Sequence, residues 1–164
     1  MIYGECSSIG RASACGAEGC GIVPRHSPVD KLNRLRGGFL ILLEYMYIKD
    51  LKDCEEIIAG DKTVLREFLH PSKADLKLRY SLAHALVKSG QSSQLHKLKT
   101  SEVYYILQGQ GKMHVDKESS VVKAGQVIYI PPNSKQYIEN TGDKDLKFLC
   151  IVDPAWKPED EEIL

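Results

Sequence analysis

The chain has 164 residues, 43% of them hydrophobic and 27% charged, with 22 basic side chains balanced by 22 acidic ones and a pI near 6.9. That is enough for one globular domain and too little for two ordinary ones, and it excludes both a disordered chain and a strongly basic nucleic-acid-binding surface. The longest apolar stretch, Phe39 to Ile48, is interrupted by Glu44 and is shorter than the roughly 20 residues that cross a bilayer. No apolar run before it leads to a small-residue cleavage site, so the cytoplasm is the expected location, with neither membrane nor nucleic acid as a partner.

Residues 1–45 differ from the rest. Cys6, Cys15 and Cys20 fall here, with much of the glycine and no strand or helix period. A zinc knot of Cys6, Cys15, Cys20 and His26 has poor spacing, since only Cys15 and Cys20 approach the separation of a structural site. A disulfide framework suffers from the odd cysteine count and the missing export signal. A third reading, which we prefer, is a translated tRNA gene. Ser7-Ser8-Ile9-Gly10-Arg11-Ala12 can be encoded by a tRNA D-arm, and Gly4 to Pro28 is 25 codons, close to the length of such a gene. The start would then lie at Met46, and residues 1–45 form an irregular extension to a domain at 46–164. The DNA sequence decides this, since residues 4–28 must then be written by a cloverleaf.

From Met46 onward turn signals separate short apolar segments. Lys49 to Ile58 has Leu51, Cys54 and Ile58 at helical spacing and predicts a short helix ended by Gly60-Asp61. Thr63 to Leu69 predicts a strand closed by His70-Pro71. Leu76 to Lys88 predicts a second, with Leu82, His84 and Leu86 on one face and Ser81, Ala83, Ala85 and Val87 on the other. Val103 to Gln108 is β-branched, aromatic and apolar, and Lys112 to Asp116 returns beside it as a hairpin. Val121-Val122, Val127 to Ile130, Gln136 to Glu139 and Leu146 to Val152 complete the series. Trp156 is expected to pack the C-terminal segment onto the barrel, and Glu159 to Glu162 to form a solvated end. Many short strands without intervening helices predict an all-β sandwich or closed barrel.

Two motifs run through these strands. Gly90, His96, Leu98, Glu102 and Gly109 follow the spacing G-x5-H-x-H-x3-E-x6-G, with Leu98 in place of the second histidine. Gly125, Pro131, Asn133, Gln136 and Asn140 follow G-x5-P-x-G-x2-H-x3-N, with Asn133 in place of glycine and Gln136 in place of histidine. Over roughly residues 75–153 the chain therefore resembles the cupins. The resemblance implies a double-stranded β-helix, or jelly-roll, barrel, and commonly a homodimer.

In cupins with both motifs intact, three histidines and a glutamate hold a divalent metal inside the barrel. Carried over by position, the resemblance implies a metal site at His96, Glu102 and Gln136, for Zn, Mn, Fe or Ni, while Leu98 cannot ligate. Glu102 is otherwise hard to explain, since a buried unpaired carboxylate is costly. Gln136 can ligate through its amide oxygen or hydrogen-bond a substrate. Leu98, Tyr104, Ile106 and Ile138 are expected to line the pocket, with Tyr104 the acid/base candidate. His84 and His114 are extra ligand candidates, weighed against core or surface roles. Cys54 and Cys150 read most simply as buried thiols.

Two functions compete. One is a metalloenzyme acting on a small molecule, by sugar-phosphate isomerisation, as glutamine among the ligands resembles the phosphomannose isomerases, or by dioxygenation. The other is a module that binds a sugar or other small ligand without chemistry. A vestigial pocket in a structural dimer is a third possibility. The barrel itself cannot decide, because one fold hosts many chemistries.

Overall fold

A computed structural model describes residues 46–164. The zinc-knot and tRNA readings of Cys6, Cys15, Cys20 and His26 fall outside the described residues.

The strands are β1 (Glu56–Ile58), β2 (Val64–Leu69), β3 (Ser81–Val87), β4 (His96–Leu98), β5 (Ser101–Gln108) and β6 (Gln110–Val115). They continue with β7 (Glu118–Lys123), β8 (Val127–Ile130), β9 (Lys135–Asn140), β10 (Leu146–Asp153) and β11 (Glu161–Ile163). One sheet has the order β1-β2-β3-β10-β5-β8 and the other β11-β4-β9-β6-β7. Every pairing is antiparallel, and the two sheets form the sandwich that the short-strand pattern predicts, with the jelly-roll architecture that the resemblance implies.

Period-two alternation decides which side chains enter the space between the sheets. On β5, Glu102, Tyr104 and Ile106 are buried while Tyr105 and Leu107 are exposed. On β9, Gln136, Ile138 and Asn140 are buried together. On β3 the buried face is that of Ser81, Ala85 and Val87. Phe148 on β10 lies opposite Ala85 on one side and Ile106 on the other, and its ring is 4.5 Å from that of Tyr104. This apolar cluster also takes in Met113, Val122, Ile130, Ile138 and Leu146.

The turns explain how the motifs work as backbone. Gly109 has φ +89°, and a Cβ there would sit 2.8 Å from the Asp145 carbonyl oxygen, so the β5–β6 turn needs glycine. Asn133, which stands where the motif has glycine, has φ 65°. Asparagine is among the few residues that accept this left-handed conformation, so the substitution preserves the turn.

Three expectations are corrected here. Lys112 to Asp116 does not return beside Val103 to Gln108 as a hairpin: the Gly109 turn carries the chain from one sheet to the other, so β5 pairs with β10 and β8 while β6 pairs with β7 and β9. Lys49 to Ile58 is not a helix: only Leu51–Asp53 forms a single 3-10 turn, and Glu56–Ile58 is a strand pairing with β2. The helical spacing of Leu51, Cys54 and Ile58 is outweighed by edge pairing in a β-hairpin. The acidic end is not simply solvated: Glu161–Ile163 adds to the edge of β4, with Glu161 opposite Leu98 and Ile163 opposite His96. No helix among the described residues is long and apolar enough to cross a membrane.

Candidate functional site

Between the sheets lies a cavity of about 240 Å³, walled by β3, β4, β5 and β10, the β1–β2 hairpin and the C-terminal segment. His96, Leu98, Glu102 and Tyr104 all face it. A larger open cleft of about 960 Å³ runs between edge strands β7 and β8, but it contains none of His96, Glu102 or Gln136.

Strand pairing brings the motif residues together. His96 on β4 is the register partner of Gln136 on β9, and Gln136 reaches across to Glu102 on β5. His96 is 4% exposed, and its Nδ1 lies 2.8 Å from the Gln94 carbonyl oxygen. A carbonyl only accepts, so Nδ1 carries the proton, and in the neutral ring Nε2 is left as a lone pair. Asp61 Oδ2 stands 3.9 Å from the same Nδ1. Asp61 is itself fixed: its two oxygens accept from the Thr63 amide at 3.0 Å and the Thr63 hydroxyl at 2.7 Å. Its own carbonyl accepts from the Gln94 amide at 2.6 Å. The tip of the β1–β2 hairpin is thereby tied to the strand carrying His96.

Glu102 accepts two side-chain hydrogen bonds, from Gln136 Nε2 at 2.7 Å on Oε2 and from Cys150 Sγ at 3.2 Å on Oε1. Burial pushes its carboxyl above the usual range, opposed by the nearby His96 and by these two donors. Burial, and then Glu102, push the Tyr104 phenol well up, and the same two causes act on the Cys150 thiol. Tyr104 is therefore a protonated hydroxyl at neutral pH, suited to hydrogen bonding and not to the role of base. Cys150 is likewise a thiol and not a nucleophile.

The raised pKa of Glu102 has a consequence for stability. The folded state holds the Glu102 proton to higher pH than the unfolded chain does, so this residue stabilises the fold in acid. Its contribution falls as pH rises from about 4.3 through the raised value. Glu102→Gln is expected to remove that decline. Urea denaturation of both proteins from pH 4 to 8 should show the stability of Glu102→Gln rising relative to that of the parent toward neutrality, and parallel profiles would contradict the buried-carboxylate assignment.

The remaining sequence candidates fall elsewhere. Ile106 and Ile138 are both 0% exposed and belong to the apolar core, not to the cavity wall. His84 lies on the outer face of β3, because the inward alternation belongs to Ser81, Ala83, Ala85 and Val87. His114 is on the outer face of β6, stacked on Tyr137 at 4.2 Å with Nε2 3.0 Å from Glu139 Oε1. Neither can complete a centre at His96.

Four wall residues were not legible as site residues: Asp61, Cys150, Trp156 and Glu161. Trp156 docks the C-terminal segment as expected, through its amide to Ser81 Oγ at 3.1 Å and its carbonyl to His70 Nε2 at 2.9 Å. Its indole Nε1 also donates to Glu161 Oε2 at 3.2 Å. Burial, and secondarily Asp61, raise the Glu161 carboxyl, while His96 and Trp156 oppose this.

The donors at the motif positions do not fit a cupin metal centre. Leu98 supplies no donor atom. Gln136 gives its amide N–H to Glu102, and its Oε1 is buried without a partner. Among the described residues no group of three His, Cys, Asp or Glu side chains is arranged to hold a metal ion.

The profile of the Cupin domain family matches residues 83–152. An uncharacterized protein of Methanocaldococcus jannaschii is 46% identical over 108 residues, covering 65% of this chain and 86% of that protein. The oxalate-binding protein of Thermotoga maritima is 31% identical over 138 residues, covering 82% of this chain and 96% of its own. Among solved structures, an oxalate decarboxylase of Bacillus subtilis described with Mn(II) centers is 25% identical with a TM-score of 0.60. The match covers 70% of this chain but only 31% of that one.

Proposed function

The chain belongs to the cupin family, and from that premise we propose that it is a small-molecule-binding barrel, its ligand seated in the 240 Å³ cavity against His96 and Glu102. The observation that carries this reading is the held imidazole. Gln94 and Asp61 fix the His96 ring on one side, and Nε2 has no hydrogen-bond partner among the described residues. Convergent polar groups in a mostly apolar cavity are what small-ligand sites share. This cavity is below the roughly 300–1,000 Å³ of drug-sized sites, so the ligand is a small metabolite.

Trp156 is the one tryptophan in the sequence and stands in the cavity wall, so its emission reports what enters. A set of small acids, sugars and amines, added to protein stripped with chelator, is expected to contain members that change Trp156 emission and raise the melting temperature. Both responses should be lost in His96→Ala. Responses that persist in that variant would move the ligand away from this cavity.

The oxalate-named relatives and the Mn(II) centers of the decarboxylase support a second reading: a divalent metal at His96, Glu102 and Gln136. Mass spectrometry after loading with Mn, Fe(II), Ni and Zn separates the two. On the metal-free reading no loaded metal reaches near-stoichiometric retention. One metal ion per chain, absent from His96→Ala, would establish the second reading, and with it the isomerase- and dioxygenase-like alternatives.

A further inference from the structure

The hydrogen-bonding capacity of the cavity is one-sided. Four carboxylates stand in its wall, Asp61, Glu67, Glu102 and Glu161, against one lysine and one histidine. The lysine is already used, since Lys73 Nζ is 2.9 Å from Glu67 Oε1. Other donors of the wall are also spent on carboxylates. The Thr63 hydroxyl goes to Asp61, the Cys150 thiol to Glu102 and the Trp156 indole to Glu161. These bonds leave each carboxylate with further lone pairs to offer, whereas their donors have no second proton to give a ligand. The hydroxyls of Ser81 and Tyr104 can turn to suit what arrives.

A second observation comes from a group that is not acidic. His96 is more than nine-tenths buried, its Nδ1 proton is committed to Gln94, and the atom it presents without a partner is Nε2. The tautomer set by Gln94 makes that atom an acceptor. A dianion such as oxalate would bring only acceptors to a wall in which four carboxylates outnumber one lysine and one histidine.

We propose, on the reading that this cavity is the binding site, that its ligand is a small organic cation: a protonated amine whose N–H groups face Asp61, Glu102 and Glu161, and whose carbon skeleton rests on Leu98, Phe148 and Trp156. Charge and shape agree. The ammonium supplies donors only, of which the cavity has fewer than acceptors, and its charge compensates carboxylates that are costly to bury alone. The aromatic walls suit a cation with an apolar body, through its hydrocarbon and through the face of the indole ring.

The test is calorimetric titration of the full chain, stripped with chelator, with n-butylammonium, with n-butanol as its neutral counterpart of similar shape, and with oxalate. Trp156 emission is followed in parallel. n-Butylammonium is expected to bind, with n-butanol and oxalate at least about tenfold weaker. Glu161→Gln keeps an oxygen for the Trp156 indole but removes a charge, and it should weaken n-butylammonium by about tenfold while leaving the melting temperature of the free protein nearly unchanged. Equal binding of n-butanol, or tighter binding of oxalate, would overturn the cation assignment and leave the cavity as a binding site. Silence from n-butylammonium would overturn it as well. The small-molecule reading itself would fall only if the broader set, tested against His96→Ala, also gave no cavity-dependent response.

Discussion

Gln136→Leu is expected to destabilise the protein by about 2–3 kcal/mol at neutral pH, although the side chain is replaced by one of nearly equal volume. Gln136 is 1% exposed, and its amide donates to Glu102 at 2.7 Å. Leucine leaves that carboxylate buried with only a weak thiol donor on its other oxygen. A hydrogen bond to a charged group contributes roughly 1.5–3 kcal/mol, and a buried acceptor left unpaired loses that contribution in full. The penalty carries a pH signature. The Gln136 bond favours the ionised form, so removing it raises the Glu102 carboxyl further, and the loss should shrink as pH falls and Glu102 takes up a proton. Removing both partners should be milder than removing one. Glu102→Leu/Gln136→Leu is expected to recover most of the loss, because two apolar side chains ask for no partners. Urea denaturation of the two variants at pH 5 and 7 checks this. A neutral Gln136→Leu, or a double variant less stable than the single one, would show that the bond does not support a buried carboxylate.

That pair marks where the sequence stops being readable. The two motifs place His96, Glu102 and Gln136 together, and alternation within β4, β5 and β9 turns all three inward. What spacing cannot give is the use to which each atom is put. At a metal centre Gln136 would present oxygen. Here its nitrogen faces a carboxylate, and that orientation follows from the absence of a second imidazole at Leu98 and the presence of an acceptor at Glu102. The fold was legible in the same measure. Strong β-branched and aromatic runs such as Val103 to Gln108 declared themselves, because their burial pattern is set by their own side chains. The strands at the margins did not. β1 and β11 are three residues each and lie at sheet edges, so their conformation is dictated by what they pair with. Glu161 illustrates the cost. In a run of acids it reads as a solvated charge, yet pairing of β11 with β4 sets it in the cavity wall beside Trp156. Asp61, Cys150, Trp156 and Glu161 come from segments with no motif of their own, and only the hairpin and the two C-terminal strands bring them to His96 and Glu102.

Asn140, the last residue of the second motif, should show the opposite behaviour: a large effect on stability and none on binding. Its side chain is 3% exposed and fully engaged. Nδ2 donates to the carbonyls of Val87 and Lys144, each at 2.8 Å, and Oδ1 accepts from the Gly142 amide at 3.0 Å. The amide therefore closes the turn between β9 and β10 and ties it to the end of β3. Asn140→Ala removes all three bonds and is expected to cost about 3 kcal/mol, at roughly 1 kcal/mol for each. That corresponds to a fall in melting temperature on the order of 10 °C. Asn140→Asp should be worse at neutral pH despite its similar shape. It keeps the acceptor for Gly142 but turns a carboxylate oxygen toward two carbonyl oxygens, replacing two attractions with two repulsions. Its deficit should narrow in acid, where the protonated group can donate to one of them. Thermal melts of the three proteins at pH 4 and 7 give both comparisons, and an Asp variant no less stable than the Ala variant at pH 7 would contradict the donor assignment. Asn140 takes no part in the cavity wall, so at a temperature where each variant is folded its Trp156 response to ligand should match that of the parent. A motif that looks like a single functional signature thus divides into positions that shape backbone, Gly109, Asn133 and Asn140, and positions that face the ligand, of which His96 and Glu102 are the pair to follow.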